Sequence, residues 1–95
     1  MSAFVVARTT VHNPEKFQAY AKSVPETLAP FKGEIKSRGK LDKVIQGDNG
    51  YSTIAVIEFP DHASLDNWYE SPGYQGLIAL RDSCSDMQLS VYSSL

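Results

Sequence analysis

Two short segments of this chain are apolar on both sides, and that constrains the fold more than anything else in the sequence. Residues 3–11 (AFVVARTTV) and 51–59 (YSTIAVIEF) are rich in β-branched and aromatic side chains and read as strands. In the first, Phe4, Val6, Arg8 and Thr10 alternate with Val5, Ala7, Thr9 and Val11. In the second, Tyr51, Thr53, Ala55, Ile57 and Phe59 alternate with Ser52, Ile54, Val56 and Glu58. A strand with water on one face alternates apolar with polar residues, whereas one with apolar residues on both parities is covered on both sides. Ninety-five residues provide one domain with one core. The second face of these strands therefore needs a cover from somewhere.

The elements around them follow from local chemistry. Asn13-Pro14 is a helix start, with Asn as cap and Pro at the first helical position. Phe17, Tyr20, Ala21, Val24 and Leu28 then recur at helical spacing. Pro25 falls inside that stripe and is expected to kink the helix or start a second short one. Glu34 to Gln46 reads as a long polar strand, with a bulge or bend expected at Gly39. Gly47-Asp48-Asn49-Gly50 predicts a hairpin turn. Asp61 caps a second helix with Leu65, Trp68 and Tyr69 inward. Ser71-Pro72 opens a third, carrying Tyr74, Leu77, Ile78 and Arg81, and a last strand runs from about Met87 to Tyr92.

This order is β-α-β-β-α-β with the second helix broken in two. It predicts an α+β, ferredoxin-like domain spanning residues 1–95, an antiparallel sheet with its helices on one face. Exposing the other, apolar face would forfeit ~1.5–3 kcal/mol per large side chain. A second copy packed sheet to sheet is the simplest cover, so a homodimer is expected. A monomer that folds its own long side chains over the face is the alternative.

Composition narrows the partners. Nine Lys+Arg against eleven Asp+Glu leave a net charge of −2, which argues against nucleic-acid binding because there is no basic excess. The longest apolar run, Ala3 to Ala7, is far below the roughly twenty residues of a membrane span, so no membrane partner is expected. The start, Met1-Ser2-Ala3, lacks the basic and apolar regions of a signal peptide. A single cysteine, Cys84, allows no internal disulfide and fits a reducing compartment. A cytoplasmic location is the expectation.

Five stretches of the chain resemble a known family. They are Val24-Pro25-Glu26-Thr27, then Gly33 with Arg38-Gly39, then Glu58-Phe59-Pro60, the run Trp68-Tyr69-Glu70-Ser71-Pro72-Gly73-Tyr74-Gln75, and Leu80-Arg81. Together they resemble the "domain of unknown function 1330" family, of the dimeric α/β-barrel group of ferredoxin-like folds. The resemblance covers nearly the whole chain and implies the fold and the dimer. It implies no reaction, although the wider group includes small monooxygenases, muconolactone isomerase-like enzymes, dehydratases and haem-handling proteins. The chain departs from the family at Lys32, where the family usually has Gly, at Lys40, where it has a further Gly, and at Gly73, where it has Glu. Gly73 and Gly76 weaken the third helix by ~1 kcal/mol each relative to Ala.

Several charges are set within apolar patterns: Arg8, Arg38, Glu58 and Arg81. Burying a charge is costly unless it is paired, so each needs an explanation. One reading places a small-molecule site between sheet and helices. There Arg38 and Arg81 hold an anionic group, Glu58 or His12 moves a proton, and Tyr20, Trp68 and Tyr74 shape the walls. The other reading makes an internal Arg–Glu ion pair, with the aromatics as core and His12 solvated at a strand end. Both readings need Glu58 beside an arginine. No metal-ligand spacing, phosphate-binding loop or dinucleotide fingerprint is present, so no metal and no cofactor are expected. The function this suggests is cofactor-independent chemistry, monooxygenase- or isomerase-like by resemblance, on a small carbonyl or phenolic compound. A non-catalytic metabolite-binding or stress-related module, or a purely structural dimer, remains open beside it.

Overall fold

A computed structural model describes residues 2–95. Strand β1 (Ala3–Val11) leads into helix α1 (Pro14–Leu28), and a 3-10 turn follows over Ala29–Phe31. Strands β2 (Glu34–Lys40) and β3 (Thr53–Phe59) come next. Helices α2 (His62–Glu70), α3 (Pro72–Gln75) and α4 (Ile78–Cys84) then lead to β4 (Ser85–Ser93). The sheet order is β2-β3-β1-β4 with every pair antiparallel, which is the ferredoxin-like plan.

The caps act as the sequence predicts. Asn13 accepts from the backbone N–H of Lys16, Asp61 from that of Ser64 and Ser71 from that of Tyr74, so the starts of α1, α2 and α3 each have a side-chain partner for one of their free donors. Pro25 does not divide α1. The helix runs through it to Leu28, and the Pro25 ring lies on the exposed side. The C-terminal helical segment is broken at Ser71, between α2 and α3, as the sequence predicts, and again at Gly76-Leu77, between α3 and α4.

Two features of β2 differ from expectation. The irregularity is at Lys36: Ile35 pairs with Ile57 and Ser37 with Val56, while Gly39 stays in register opposite Ile54. The strand also ends at Lys40, so residues 41–52 form an irregular connection in place of a tight hairpin. A type I′ turn at Asn49-Gly50 needs positive φ at both residues, and among the described residues the only glycine with positive φ is Gly47, at 82°. The connection is pinned at its base instead, where Leu41 N–H donates to Ser52 C=O (2.7 Å) and Ser52 N–H to Thr9 C=O (3.0 Å).

The odd-numbered residues of β1 and β3 face the helices. Ala3, Val5, Ile57 and Phe59 form the core with Tyr20, Val24, Leu28, Leu65, Trp68 and Tyr74. The even-numbered set, Phe4, Val6, Ile54 and Val56, lies on the opposite face with Tyr92, whose ring stacks on Phe4 at 5.5 Å. The Cα envelope of 33 × 32 × 16 Å is two layers thick, so this second face has no layer above it within the chain.

Candidate functional site

A chamber of about 420 Å³ opens between the helix-facing side of the sheet and α1. Its roof is Phe17, Tyr20, Ala21 and Val24 of α1, and its floor includes Ala7 and Thr9 of β1, Ala55 and Ile57 of β3 and Leu89 of β4. Trp68 and Tyr74 close the inner end, while the exposed Arg38 and Lys40 stand at the edge strand, where the chamber meets solvent. The interior is therefore apolar and aromatic, with positive charge at its mouth.

The bulge at Lys36 sets that mouth. One extra residue in β2 reverses the alternation, so Arg38 and Lys40 fall on the same face as Ile35, opposite Ala55 and Thr53. Without it, both cations would point away from the chamber.

At the inner end three polar side chains join in series. Arg81 Nη1 donates to Tyr74 Oη (3.0 Å), and the hydroxyls of Tyr74 and Tyr20 lie 2.8 Å apart. Tyr20 O–H is in turn 3.9 Å from Met87 Sδ. Burial, reinforced by Tyr74, pushes the Tyr20 hydroxyl well above the ordinary tyrosine range, so it keeps its proton. Burial works against the Arg81 charge, yet hydrogen bonds to Asp82 and Tyr74 outweigh it and hold the guanidinium charged. Trp68 is braced behind the wall, its Nε1–H donating to Thr27 Oγ1 (2.9 Å) and its ring 4.4 Å from that of Tyr74.

Of the residues expected at a site, the structure brings Tyr20, Arg38, Trp68 and Tyr74 to one chamber. Arg81 does not line it and reaches it only through Tyr74. Glu58 is on the other face of the sheet, cross-strand from Phe4 and Glu34, because its parity follows Ile54 and Val56. Its charged neighbour is Lys36, at 3.7 Å, so the expected Arg–Glu pair does not form. His12, at the end of β1, bonds Asp86 across 2.9 Å at the surface, outside the chamber. Arg8 is exposed on the open face beside the 41–52 connection. Lys40, Thr9 and Met87 are lining residues that sequence reasoning passed over; the parity shared by Arg38 and Lys40 was the available signal for Lys40.

The family model described as "Domain of unknown function (DUF1330)" matches residues 2–95. The chain belongs to the DUF1330 family. No curated protein matches it. Among solved structures, this DUF1330 chain is similar to a protein of unknown function from Rhodopseudomonas palustris, with a TM-score of 0.84, 15% identity, and coverage of 99% of this chain and 82% of that one. It is also similar to SnoaB, a cofactor-independent oxygenase from Streptomyces nogalater, with a TM-score of 0.73, 18% identity, and coverage of 99% and 93%. A dimeric ferredoxin-like protein of unknown function from Thermobifida fusca matches with a TM-score of 0.67, 11% identity, and coverage of 99% and 92%. At these identities the likeness is one of fold. Among the described residues of the DUF1330 chain, no three His, Cys, Asp or Glu side chains cluster as metal ligands would, and no helix is long and apolar enough to cross a membrane.

Proposed function

We propose that the protein is a homodimer in which each chamber takes a small, mostly apolar compound bearing an anionic or carbonyl oxygen, and that it acts on that compound without a cofactor, by oxygenation or isomerisation. The observation that carries this reading is the make-up of the chamber: an apolar and aromatic enclosure of about 420 Å³ with a cationic mouth and a tyrosine pair at its inner end. Small-molecule sites have this composition, with a few placed polar groups in a largely apolar wall. Arg38 offers a planar, two-pronged donor to a carboxylate or enolate, with Lys40 adding charge beside it. Trp68 provides a flat wall, and the Tyr20 phenol, backed by that of the buried Tyr74, meets the ligand's inner end. Positive charge at the mouth favours the ionised form of an acidic phenol or enol, the form a cofactor-free reaction with dioxygen starts from. The Streptomyces nogalater oxygenase, similar in fold, does its chemistry without a cofactor. The uncovered apolar face supports the dimer, as does the dimeric state of the Thermobifida fusca protein. The buried thiol of Cys84 suits the cytoplasm.

One observation favours a second reading, a binding module without turnover: no Asp, Glu, His or Cys is among the residues lining the chamber. A reaction there must use a substrate acidic enough to ionise without a neighbouring base.

The test is native mass spectrometry of protein purified gently from its own cells, followed by oxygen-uptake and isomerisation assays on whatever is bound. The expected result is a dimer with one small adduct per protomer that is consumed in air. Arg38→Ala is expected to weaken its binding about tenfold or more, the loss of a charge-assisted hydrogen bond. A bound but unreacted adduct would leave the binding module, and a dimer that takes up no small molecule would overturn the chamber's role.

A further inference from the structure

The three polar groups at the inner end of the chamber are joined in one direction. A guanidinium has donors and no acceptor, so at the 3.0 Å contact between Arg81 and Tyr74 the tyrosine oxygen accepts. Tyr74 is fully buried, and its own proton must still find an acceptor. The Tyr20 oxygen, 2.8 Å away, is the one in reach. Were Tyr20 to donate instead, the Tyr74 oxygen would accept twice and its proton would be stranded. With Tyr74 donating, the Tyr20 proton turns to its remaining neighbour, the Met87 sulfur at 3.9 Å. A thioether is a weak acceptor, and both Tyr20 and Met87 line the chamber.

We propose that Arg81 fixes the sense of the tyrosine pair, so that the chamber presents Tyr20 as an O–H donor and selects ligands through an acceptor oxygen, a carbonyl or an oxyanion, over ligands that offer an N–H. The inference rests on the chamber being a ligand site. A ligand oxygen takes the place of the Met87 sulfur and gains a far better hydrogen bond than the one it displaces. Arg81 is a positioning residue: its Nε–H is fixed by Asp82 (2.9 Å), and it acts on the ligand through two hydroxyls. The retention of the Tyr20 proton under burial is consistent with this role.

The probes are 9-fluorenone and carbazole, which share a three-ring frame and present a C=O or an N–H at the same position. Binding is followed through the fluorescence of Trp68, the only tryptophan, and the bound ketone through its carbonyl stretch. Wild-type protein is expected to bind fluorenone at least tenfold more tightly than carbazole, with the stretch lowered from its value in aprotic solvent. In Tyr20→Phe, which keeps the ring, the preference and the shift disappear. Arg81→Met reduces both, and Arg81→Lys, which retains a donor for Tyr74, restores them. Equal binding of the two probes by the wild type, or a stretch that does not move, would overturn the inference and leave the chamber as a ligand site. Failure of both probes to bind would overturn the chamber reading as well.

Discussion

Lys32 and Gly33 stand next to each other with opposite needs. Lys32 ends the 3-10 turn at φ 59°, in the left-handed region, where a side chain costs about 1–2 kcal/mol. Gly33 needs the absence of a side chain for another reason: a Cβ there would lie 2.7 Å from Phe59 Cε2 and 2.8 Å from Leu28 Cδ2. Both of those side chains are buried and have no room to retreat. Gly33→Ala is therefore expected to destabilise the protein by about 1–3 kcal/mol through overpacking. Thermal unfolding checks this, since each kcal/mol moves Tm by about 4–8 °C in a domain of this size. Lys32→Gly is expected to act the other way. Relief of the backbone strain exceeds the extra chain entropy by roughly 0.5 kcal/mol, read as a rise in the urea midpoint at unchanged slope. A drop in stability for Lys32→Gly would mean that the lysine side chain contributes more than its backbone costs.

At the scale of elements, the cap on α2 links acid stability to the chamber wall, because that helix carries Trp68. Hydrogen bonds from the Ser64 N–H hold the Asp61 carboxyl below its ordinary value of 3.8. A carboxyl depressed in the folded state adds stability that is fully present above its unfolded value and is lost as pH falls through the folded one. Asp61→Asn keeps an acceptor oxygen and removes the titration. The stability difference between wild type and Asp61→Asn, from urea unfolding across a pH series, is expected to be constant above about pH 5. It should turn against the wild type as pH falls from 3.8 downward, and a difference flat to pH 2 would disprove the link. Capping residues of this kind are also why the order of elements was legible in the sequence. Asn13-Pro14, Asp61 and Ser71-Pro72 each act within a few residues of themselves, where tertiary contacts have little say. The bulge was not legible, because Lys36 has no local signature of one and Gly39 has. Its position depends on which pairing of β2 with β3 buries Ile35 beside Ile57, a contact between distant parts of the chain. The tyrosine pair is of the same kind, joining residues 54 apart in sequence.

The whole molecule explains why Glu58 falls outside the chamber. Apolar residues on both parities of β1 and β3 implied a cover on each side, and the same two-sidedness hid which parity faces the helices. The sequence alone therefore leaves Glu58 available to the site, and its parity removes it. Ile54 and Tyr92 remain 41% and 45% exposed on the second face, with Phe4, Val6 and Val56 half-buried between them. Val56 is flanked by Val6 on β1 and Ser37 on β2, and the bulge residue beside it, Lys36, is already paired with Glu34 (2.8 Å) and Glu58 (3.7 Å). Within one protomer Val56→Asp keeps contact with water, but in a sheet-to-sheet dimer it buries an unpaired charge from each copy. The variant is expected to weaken association by about 100-fold or more, equivalent to about 2.7 kcal/mol, while its circular dichroism stays that of a folded chain. Sedimentation equilibrium at micromolar concentrations measures this directly. A wild-type protein that sediments as a monomer would leave the apolar face without its partner and return the cover to the protein's own side chains, of which the Phe4–Tyr92 stack is the start.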